Sequence, residues 1–174
     1  MSRFKLVVTG PIACGKSTFI KKLSGKRALS INNDEGRTVA LDFGRCNLSG
    51  IKIFAFGTPG HEHFEFMREI LVQGADGLLV LFDSSRPHTF STAVKMLQRL
   101  LNKLPDTVPF VLVANKQDLP DALDVEYFSL AAGDSFSIVG TSAITGEGIG
   151  KAIAALLRKT LECIPAMSIT PPKG

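Results

Sequence analysis

The glycine-rich segment 10–17, with the sequence GPIACGKS, limits how the N-terminal part of this chain can fold. It follows a β-branched run at 4–9, which predicts a buried strand. It also opens a stretch with helical features, which we expect to begin at Lys16 and to end near Gly25. A strand that passes through such a loop directly into a helix is the opening unit of an α/β fold.

The rest of the chain continues this alternation of strands and helices. The segment 25–38 is predicted to be a loop and 47–50 a hairpin turn. The further predicted strands are 39–46, 51–56, 77–82, 110–114 and 137–140, and the predicted helices follow residue 60 and span 89–104, 125–130 and 149–162. The pattern predicts an α/β domain with three α-β-α layers and a six-stranded, mostly parallel sheet with one antiparallel edge strand. Ligands of such sheets bind beyond the carboxyl ends of the strands.

Composition narrows the class of protein. The chain has 174 residues, of which 45% are hydrophobic, and this suits one domain, expected at 1–164, with a proline-containing tail at 165–174. The net charge of +4 comes without a long basic run, so no nucleic-acid partner is indicated. No apolar stretch approaches the roughly 20 residues of a membrane helix. The three cysteines lack metal-pair spacing, and these features together favour a reducing cytoplasm, with any membrane contact made through a partner.

The segment 10–17 matches the pattern G-x-x-x-x-G-K-S of a phosphate-binding P-loop. Its glycines let the backbone curl so that successive N–H groups face phosphate oxygens, and the following helix adds a favourable dipole. Lys16 is expected to reach the β- and γ-phosphates, and the Ser17 hydroxyl to bind Mg²⁺. The predicted phosphate contacts are Ala13, Cys14, Gly15, Lys16, Ser17 and Thr18. The motif predicts a P-loop NTPase and leaves kinase, ATPase and GTPase open.

A second motif, Asn115-Lys116-Gln117-Asp118, follows the predicted strand 110–114. Alone it is equally typical of a turn, since Asn and Asp favour turns and a Leu-Pro pair comes next. The Asp118 carboxylate can instead accept two hydrogen bonds from N1–H and N2–H₂ of guanine, while adenine offers no such pair. Its place behind a P-loop favours this second interpretation.

The order of the P-loop, a threonine in the first long loop, T-P-G, N-K-x-D and Thr-Ser-Ala resembles the Ras-like small GTPase superfamily over nearly the whole chain. The resemblance implies that Asp118 binds the guanine ring, Asn115 ties its loop to the P-loop, and Lys116 lies over the base and ribose. It also implies that the loop containing Ser142 and Ala143 approaches the base, with the Ala143 N–H on guanine O6. Within the superfamily, residues 38–44 and 56–60 are similar to a prokaryotic branch that includes MglA-type polarity switches and related Arf-like proteins.

The resemblance also implies two switch loops that respond to the γ-phosphate. Thr38 becomes the switch I residue that binds Mg²⁺ in the GTP state, although a β-branched residue at a strand start explains it too. Gly60 is expected to give its N–H to the γ-phosphate. His61 stands where small GTPases usually carry the glutamine that positions water, and it is either that residue's substitute or an exposed loop histidine.

Three residues depart from the family pattern. Gly57 replaces the aspartate of D-x-x-G, which predicts weaker Mg²⁺ coupling and a looser switch II unless Asp83 compensates; Asp83 is also a plausible strand-end turn residue. Ile12 stands where a glycine is usual, and a branched side chain there obstructs an arginine arriving from a partner. Arg37 is a candidate for such an arginine within the chain, and a surface arginine is the simpler interpretation.

The function expected is a switch that binds GTP and GDP, hydrolyses GTP slowly alone, and meets a GTPase-activating protein and effectors through switches I and II. The alternative is a non-catalytic GTP-binding scaffold, motivated by Gly57 and Ile12. A P-loop kinase or ATPase is a third possibility, and Asn115–Asp118 counts against it. The sequence indicates neither a pathway nor an oligomeric state.

Overall fold

The computed structural model describes residues 3–25, 29–30 and 41–163. Within them the strands form one sheet in the order β2-β3-β4-β1-β5-β6-β7. They are β1 (Arg3–Thr9), β2 (Leu29–Ser30), β3 (Asp42–Leu48), β4 (Ile51–Gly57), β5 (Gly77–Asp83), β6 (Phe110–Asn115) and β7 (Ile138–Gly140). Strand β3 runs antiparallel to both of its neighbours, and the other pairs are parallel. The predicted α/β fold is therefore confirmed.

The two-residue strand β2 was not predicted, because its residues fall in the segment 25–38 that reads as a loop. Leu29 and Ser30 pair with Phe43 and Asp42 of β3. Two residues are too few to show a period-2 pattern, so the sequence gives no signal for this strand. Thr38, Arg37 and the tail at 165–174 lie outside the described residues.

The helices agree with the predicted order. They are α1 (Lys16–Ser24), α2 (Glu65–Val72), α3 (His88–Leu101), α4 (Val125–Ala132) and α5 (Ile149–Cys163), with short 3₁₀ turns at Glu62–Phe64 and Gly133–Ser135. No helix in the described part of the chain has the length and apolar character needed to cross a bilayer.

Two apolar cores lie on opposite faces of the sheet, because alternate residues of the central strands point to opposite sides. On one face Leu79 and Leu81 of β5 pack with side chains of α1 and α5. On the other face Leu78, Val80 and Phe82 pack with side chains of α3 and α4. All five are buried completely. Strand β5 is therefore apolar throughout because helices cover it on both faces.

The register brings the functional motifs to one edge of the sheet. Val8 lies opposite Gly57, and Asp83 lies opposite Asn115, so strands β1, β4, β5 and β6 end side by side. Asp42 begins β3 at the same edge, directly opposite Gly57. The loops that leave this edge carry every sequence motif that the structure describes.

Candidate nucleotide-binding site

The phosphate loop, residues 10–17, has a backbone that needs glycine. Gly10 has φ 147°, and a Cβ there would lie 2.1 Å from the carbonyl oxygen of Leu81. Gly15 has φ 98° and forms the N-cap of α1 without a side-chain cap, so the first N–H groups of this helix are left for an anion. Ala13 also adopts a left-handed conformation, with φ 59°. Strained non-glycine backbone of this kind concentrates at ligand-binding loops.

Lys16 is held inside its own loop. Its ammonium group donates to the carbonyl oxygens of Gly10 at 2.9 Å and Pro11 at 2.6 Å. Cys14 is fully buried beneath it. Burial raises the pKa of the Cys14 thiol, although the Lys16 charge opposes the rise. The group is therefore a thiol at neutral pH, which fits packing rather than redox chemistry.

A cavity of about 470 Å³ opens above the phosphate loop. It collects most of the residues predicted to bind phosphate or to act on it: Ala13, Gly15, Lys16, Ser17, Thr18, Gly60 and His61. A Cβ at Gly60 would lie 2.9 Å from both the Ile12 nitrogen and Lys16 Nζ. The segment after β4 thus approaches the phosphate loop as closely as glycine allows.

A smaller cavity of about 80 Å³ adjoins the first one. Its lining includes Asn115, Asp118 and Ala143, the residues that the sequence predicts around the base. Gly15 and Lys116 line both cavities. The phosphate loop and the base loop, residues 115–118, therefore border two neighbouring cavities, which together form the candidate cleft.

Asn115 joins the two loops through hydrogen bonds of its buried amide. The Asn115 Nδ2 group donates to the carbonyl oxygen of Cys14 at 2.9 Å. Its Oδ1 accepts from the Thr141 hydroxyl at 2.9 Å and from the Ala143 N–H at 3.0 Å. Asn115 is only 1% exposed, so these bonds are shielded from water. One side chain connects the phosphate loop, the base loop and the loop after β7.

The Ala143 N–H is thus bonded to Asn115, whereas the family resemblance implies a bond to guanine O6. The bond to guanine O6 stays a prediction. It requires the Ala143 N–H either to donate to both guanine O6 and Asn115 Oδ1 or to leave Asn115 Oδ1 for guanine O6. Ser142 lies beside Ala143 and is 2% exposed. The Ser142 hydroxyl accepts from the Thr145 N–H at 3.2 Å and its own N–H donates to the Glu147 carbonyl oxygen at 3.0 Å. Ser142 shapes the loop around the base pocket.

Asp83 binds Lys116 and does not line the phosphate cavity. The Lys116 ammonium lies 2.6 Å from Asp83 Oδ2, and Ser85 donates to Asp83 Oδ1 through both its N–H and its hydroxyl. Burial raises the pKa of Asp83, but the hydrogen bonds from Lys116 and Ser85 outweigh it and hold the pKa below its ordinary value. This geometry agrees with the turn interpretation of Asp83. It also fixes Lys116, whose φ of 69° is left-handed, beside the base pocket.

Arg68 contacts the segment 57–64, which the family resemblance assigns to switch II, and sequence reasoning missed this residue. It lies on α2 and is 3% exposed. Its Nη1 donates to the carbonyl oxygens of Pro59 at 3.0 Å and His61 at 2.7 Å. Burial lowers the pKa of the guanidinium, which nevertheless stays charged in a protein. An arginine on an amphipathic helix normally reads as solvent-exposed, so only the fold reveals this contact.

The wall of the phosphate cavity suits a hard cation. The Ser17 hydroxyl donates to Asp42 Oδ2, and both residues line the cavity. Mg²⁺ takes oxygen ligands and is commonly bound by one or two protein oxygens together with phosphates and water. Within the described residues no group of three His, Cys, Asp or Glu side chains could form a metal cage. The donor set therefore fits a metal held jointly by the protein and a phosphate.

A P-loop, a separate base pocket and a mostly parallel sheet define the class: a P-loop nucleotide-binding protein of the α/β type. Residues 5–162 match the Ras family. An uncharacterised protein of Methanocaldococcus jannaschii is 30% identical over 156 residues, covering 90% of this chain and 96% of the relative. The chain belongs to the Ras family.

Two further relatives carry names that place them in this family. The Ras-related protein Rab-4A of Homo sapiens is 26% identical over 97% of this chain and 79% of its own length. The Ras-related protein RABA6b of Arabidopsis thaliana is 30% identical over 92% of this chain and 72% of its own length. The protein is therefore a small GTP-binding protein, and its family is one of GTPases.

Proposed function

We propose that this protein is a GTP/GDP switch that hydrolyses GTP slowly by itself and is accelerated by a partner. The observation that carries the proposal is the candidate cleft, in which the cavity over the phosphate loop and the cavity beside the base loop share lining residues, with the two loops held together by Asn115. Such a cleft suits a molecule with a polyphosphate at one end and a purine at the other. We assign the purine end to guanine, with Asp118 as the acceptor of N1–H and N2–H₂.

At the phosphate end Lys16, the N–H groups of residues 13–18 and the start of α1 supply positive charge and hydrogen-bond donors. Phosphoryl transfer needs mainly positioning and charge stabilisation of this kind. Ser17 is the described residue that would hold Mg²⁺, and Thr38 is proposed as its switch I ligand. The metal, when bound, neutralises charge on the β- and γ-phosphates. Gly60 is proposed to donate its N–H to the γ-phosphate.

His61 is proposed to orient the attacking water. It lines the phosphate cavity beside Gly60, and its side chain is exposed. Arg68 holds the His61 carbonyl oxygen at 2.7 Å, which limits where this residue can move. An exposed residue that lines the cavity and whose backbone is held in this way supports the proposal that His61 acts on a water molecule there.

The composition of the phosphate cavity supports a role for a partner, with Arg37 as the alternative source of an arginine. No described residue lining the phosphate cavity is an arginine. In phosphoryl transfer an added arginine is worth about 10³–10⁵ in rate. Two apolar side chains of α2, Phe66 and Ile70, are 61% and 65% exposed next to switch II. Exposed apolar residues beside a site favour a docking surface for such an activator or for an effector.

A GTP-binding scaffold without hydrolysis is the second candidate, and Ile12 favours it. The Ile12 side chain is 52% exposed and lines the phosphate cavity. In this position it would obstruct an arginine that a partner protein inserts into the cavity. The resemblance of residues 38–44 and 56–60 to the MglA-type branch does not separate the two candidates.

Single-turnover release of phosphate from bound GTP distinguishes them. We expect slow hydrolysis by the unaltered protein, a loss of about 10²-fold in His61→Ala because the water is misplaced, and a smaller loss in His61→Gln. His63→Ala is the matched control, since His63 is also exposed on the same segment and should leave the rate unchanged. Bound GTP that is never hydrolysed would establish the scaffold instead, and an unchanged rate in His61→Ala would remove His61 from the mechanism.

A further inference from the structure

The carboxylate of Asp42 fills the space that a side chain at position 57 would occupy. Asp42 and Gly57 are directly opposite each other on the antiparallel strands β3 and β4. A Cβ built on Gly57 would lie 3.0 Å from the Asp42 Cβ and 3.4 Å from Asp42 Oδ2. The two positions therefore point into the same small volume. The carboxylate that the family pattern places at 57 is matched here by one that enters from the neighbouring strand.

Asp42 also contacts Ser17, the residue proposed to bind Mg²⁺. The Ser17 hydroxyl donates its proton to Asp42 Oδ2. A hydroxyl that donates in one direction keeps its two lone pairs for a cation in another. Asp42 is 4% exposed and lines the phosphate cavity with Lys16 and Ser17. Carboxylates placed behind a ligand in this way orient the ligand and raise its basicity.

We propose that Asp42 is the positioning residue for Mg²⁺ at this site, orienting Ser17 and supplying the negative charge that Gly57 cannot supply. The inference rests on the proposed function. Weak Mg²⁺ coupling was expected because position 57 has no carboxylate and Asp83 was the other candidate. Asp83 binds Lys116 and does not supply the charge. Strand β3 offers the missing charge because its antiparallel direction starts it at the edge where β4 ends.

The Mg²⁺ dependence of nucleotide release tests this role without relying on hydrolysis. Protein loaded with a fluorescent GDP is mixed with excess GDP over a range of Mg²⁺ concentrations and in EDTA. In the unaltered protein Mg²⁺ should slow release. In Asp42→Asn, which keeps the shape and removes the charge, we expect half-maximal slowing to need about 10–100-fold more Mg²⁺. Release in EDTA should be the same in both proteins. Asp106→Asn, an exposed residue after α3, is the matched control.

Moving the carboxylate distinguishes metal support from a structural role. Asp42→Gly alone should lose the Mg²⁺ dependence, and Asp42→Gly combined with Gly57→Asp should recover part of it. Removing the Asp42 side chain clears the 3.0 Å contact with its Cβ, and the remaining near atom, Ile20 Cδ1 at 2.8 Å, ends a flexible side chain. A residue that only stabilises the fold would not be replaced from the opposite strand.

Each outcome bears on a different claim. An unaltered Mg²⁺ requirement in Asp42→Asn, or a double variant no better than Asp42→Gly, would overturn the role of Asp42 and leave the switch function standing. Failure of the unaltered protein to bind the fluorescent GDP would overturn the proposed function itself.

Discussion

Replacing Asn115 by alanine should cost the protein both stability and its base pocket. The change removes the bonds of the Asn115 amide with the Cys14 carbonyl oxygen, the Thr141 hydroxyl and the Ala143 N–H. A buried hydrogen bond contributes about 1 kcal/mol net, so three contribute about 3 kcal/mol. With a urea dependence of about 2 kcal/mol per molar, the unfolding midpoint should fall by about 1.5 M.

Urea unfolding of the nucleotide-free protein, followed by circular dichroism, measures this loss. Thr141→Val is the graded control, because it deletes only the bond from the Thr141 hydroxyl and should cost about 1 kcal/mol. The same Asn115→Ala protein should bind a fluorescent GDP more weakly, since the base loop is no longer tied to the phosphate loop. A loss of unfolding free energy below about 0.5 kcal/mol, or one no larger than that of Thr141→Val, would refute the assignment of Asn115 as the connecting residue.

Two further predictions concern the ion pair and switch II. The folded-state pKa of Asp83 lies below its unfolded value of about 3.9, so the contribution of Asp83 to stability is complete above that pH and is lost as the pH falls through the folded-state pKa. The stability gap between the unaltered protein and Asp83→Asn should therefore stay constant down to about pH 4 and shrink below it in urea titrations, and a gap that stays constant at lower pH would contradict this. Arg68→Ala frees the carbonyl oxygens of Pro59 and His61, so chymotrypsin should cleave after Phe64 faster in this variant than in the control Arg99→Ala, which loses only an exposed ion pair with Glu65. Equal cleavage rates would show that Arg68 does not hold the segment 57–64 in place.

The sheet could be predicted because each main strand carries its own signal. The run at 77–82 is apolar at every position, and the structure shows why: helices cover both faces of β5. The predicted helix 89–104 is present as α3, which ends at Leu101, three residues before the end that Pro105 suggested. Strand β2 has no comparable signal, since two residues paired at a sheet edge leave no pattern in the sequence.

The P-loop and the segment Asn115–Asp118 could also be predicted, because each is a continuous stretch of sequence at the end of a predicted strand. Asp42 and Arg68 were not readable, because their roles depend on what faces them. Asp42 acquires its neighbours from the pairing of β3 with β4 and from the approach of α1. Gly57 did offer a signal. Residues directly opposite each other in a hairpin lie close together, so a carboxylate missing at position 57 could have been looked for on the residue that faces it.

The central claim is that one cleft recognises both the polyphosphate and guanine. A displacement titration tests it directly: a fluorescent GDP bound to the purified protein with Mg²⁺ is competed by GTP and by ATP. Asp118 is exposed in the structure, and a bound base would cover its carboxylate. A carboxylate that is covered without receiving hydrogen bonds rejects a ligand by about 10⁴-fold, so ATP should require about that much more nucleotide than GTP, and Asp118→Asn should reduce the difference. Displacement by ATP at the same concentration as GTP would contradict the account.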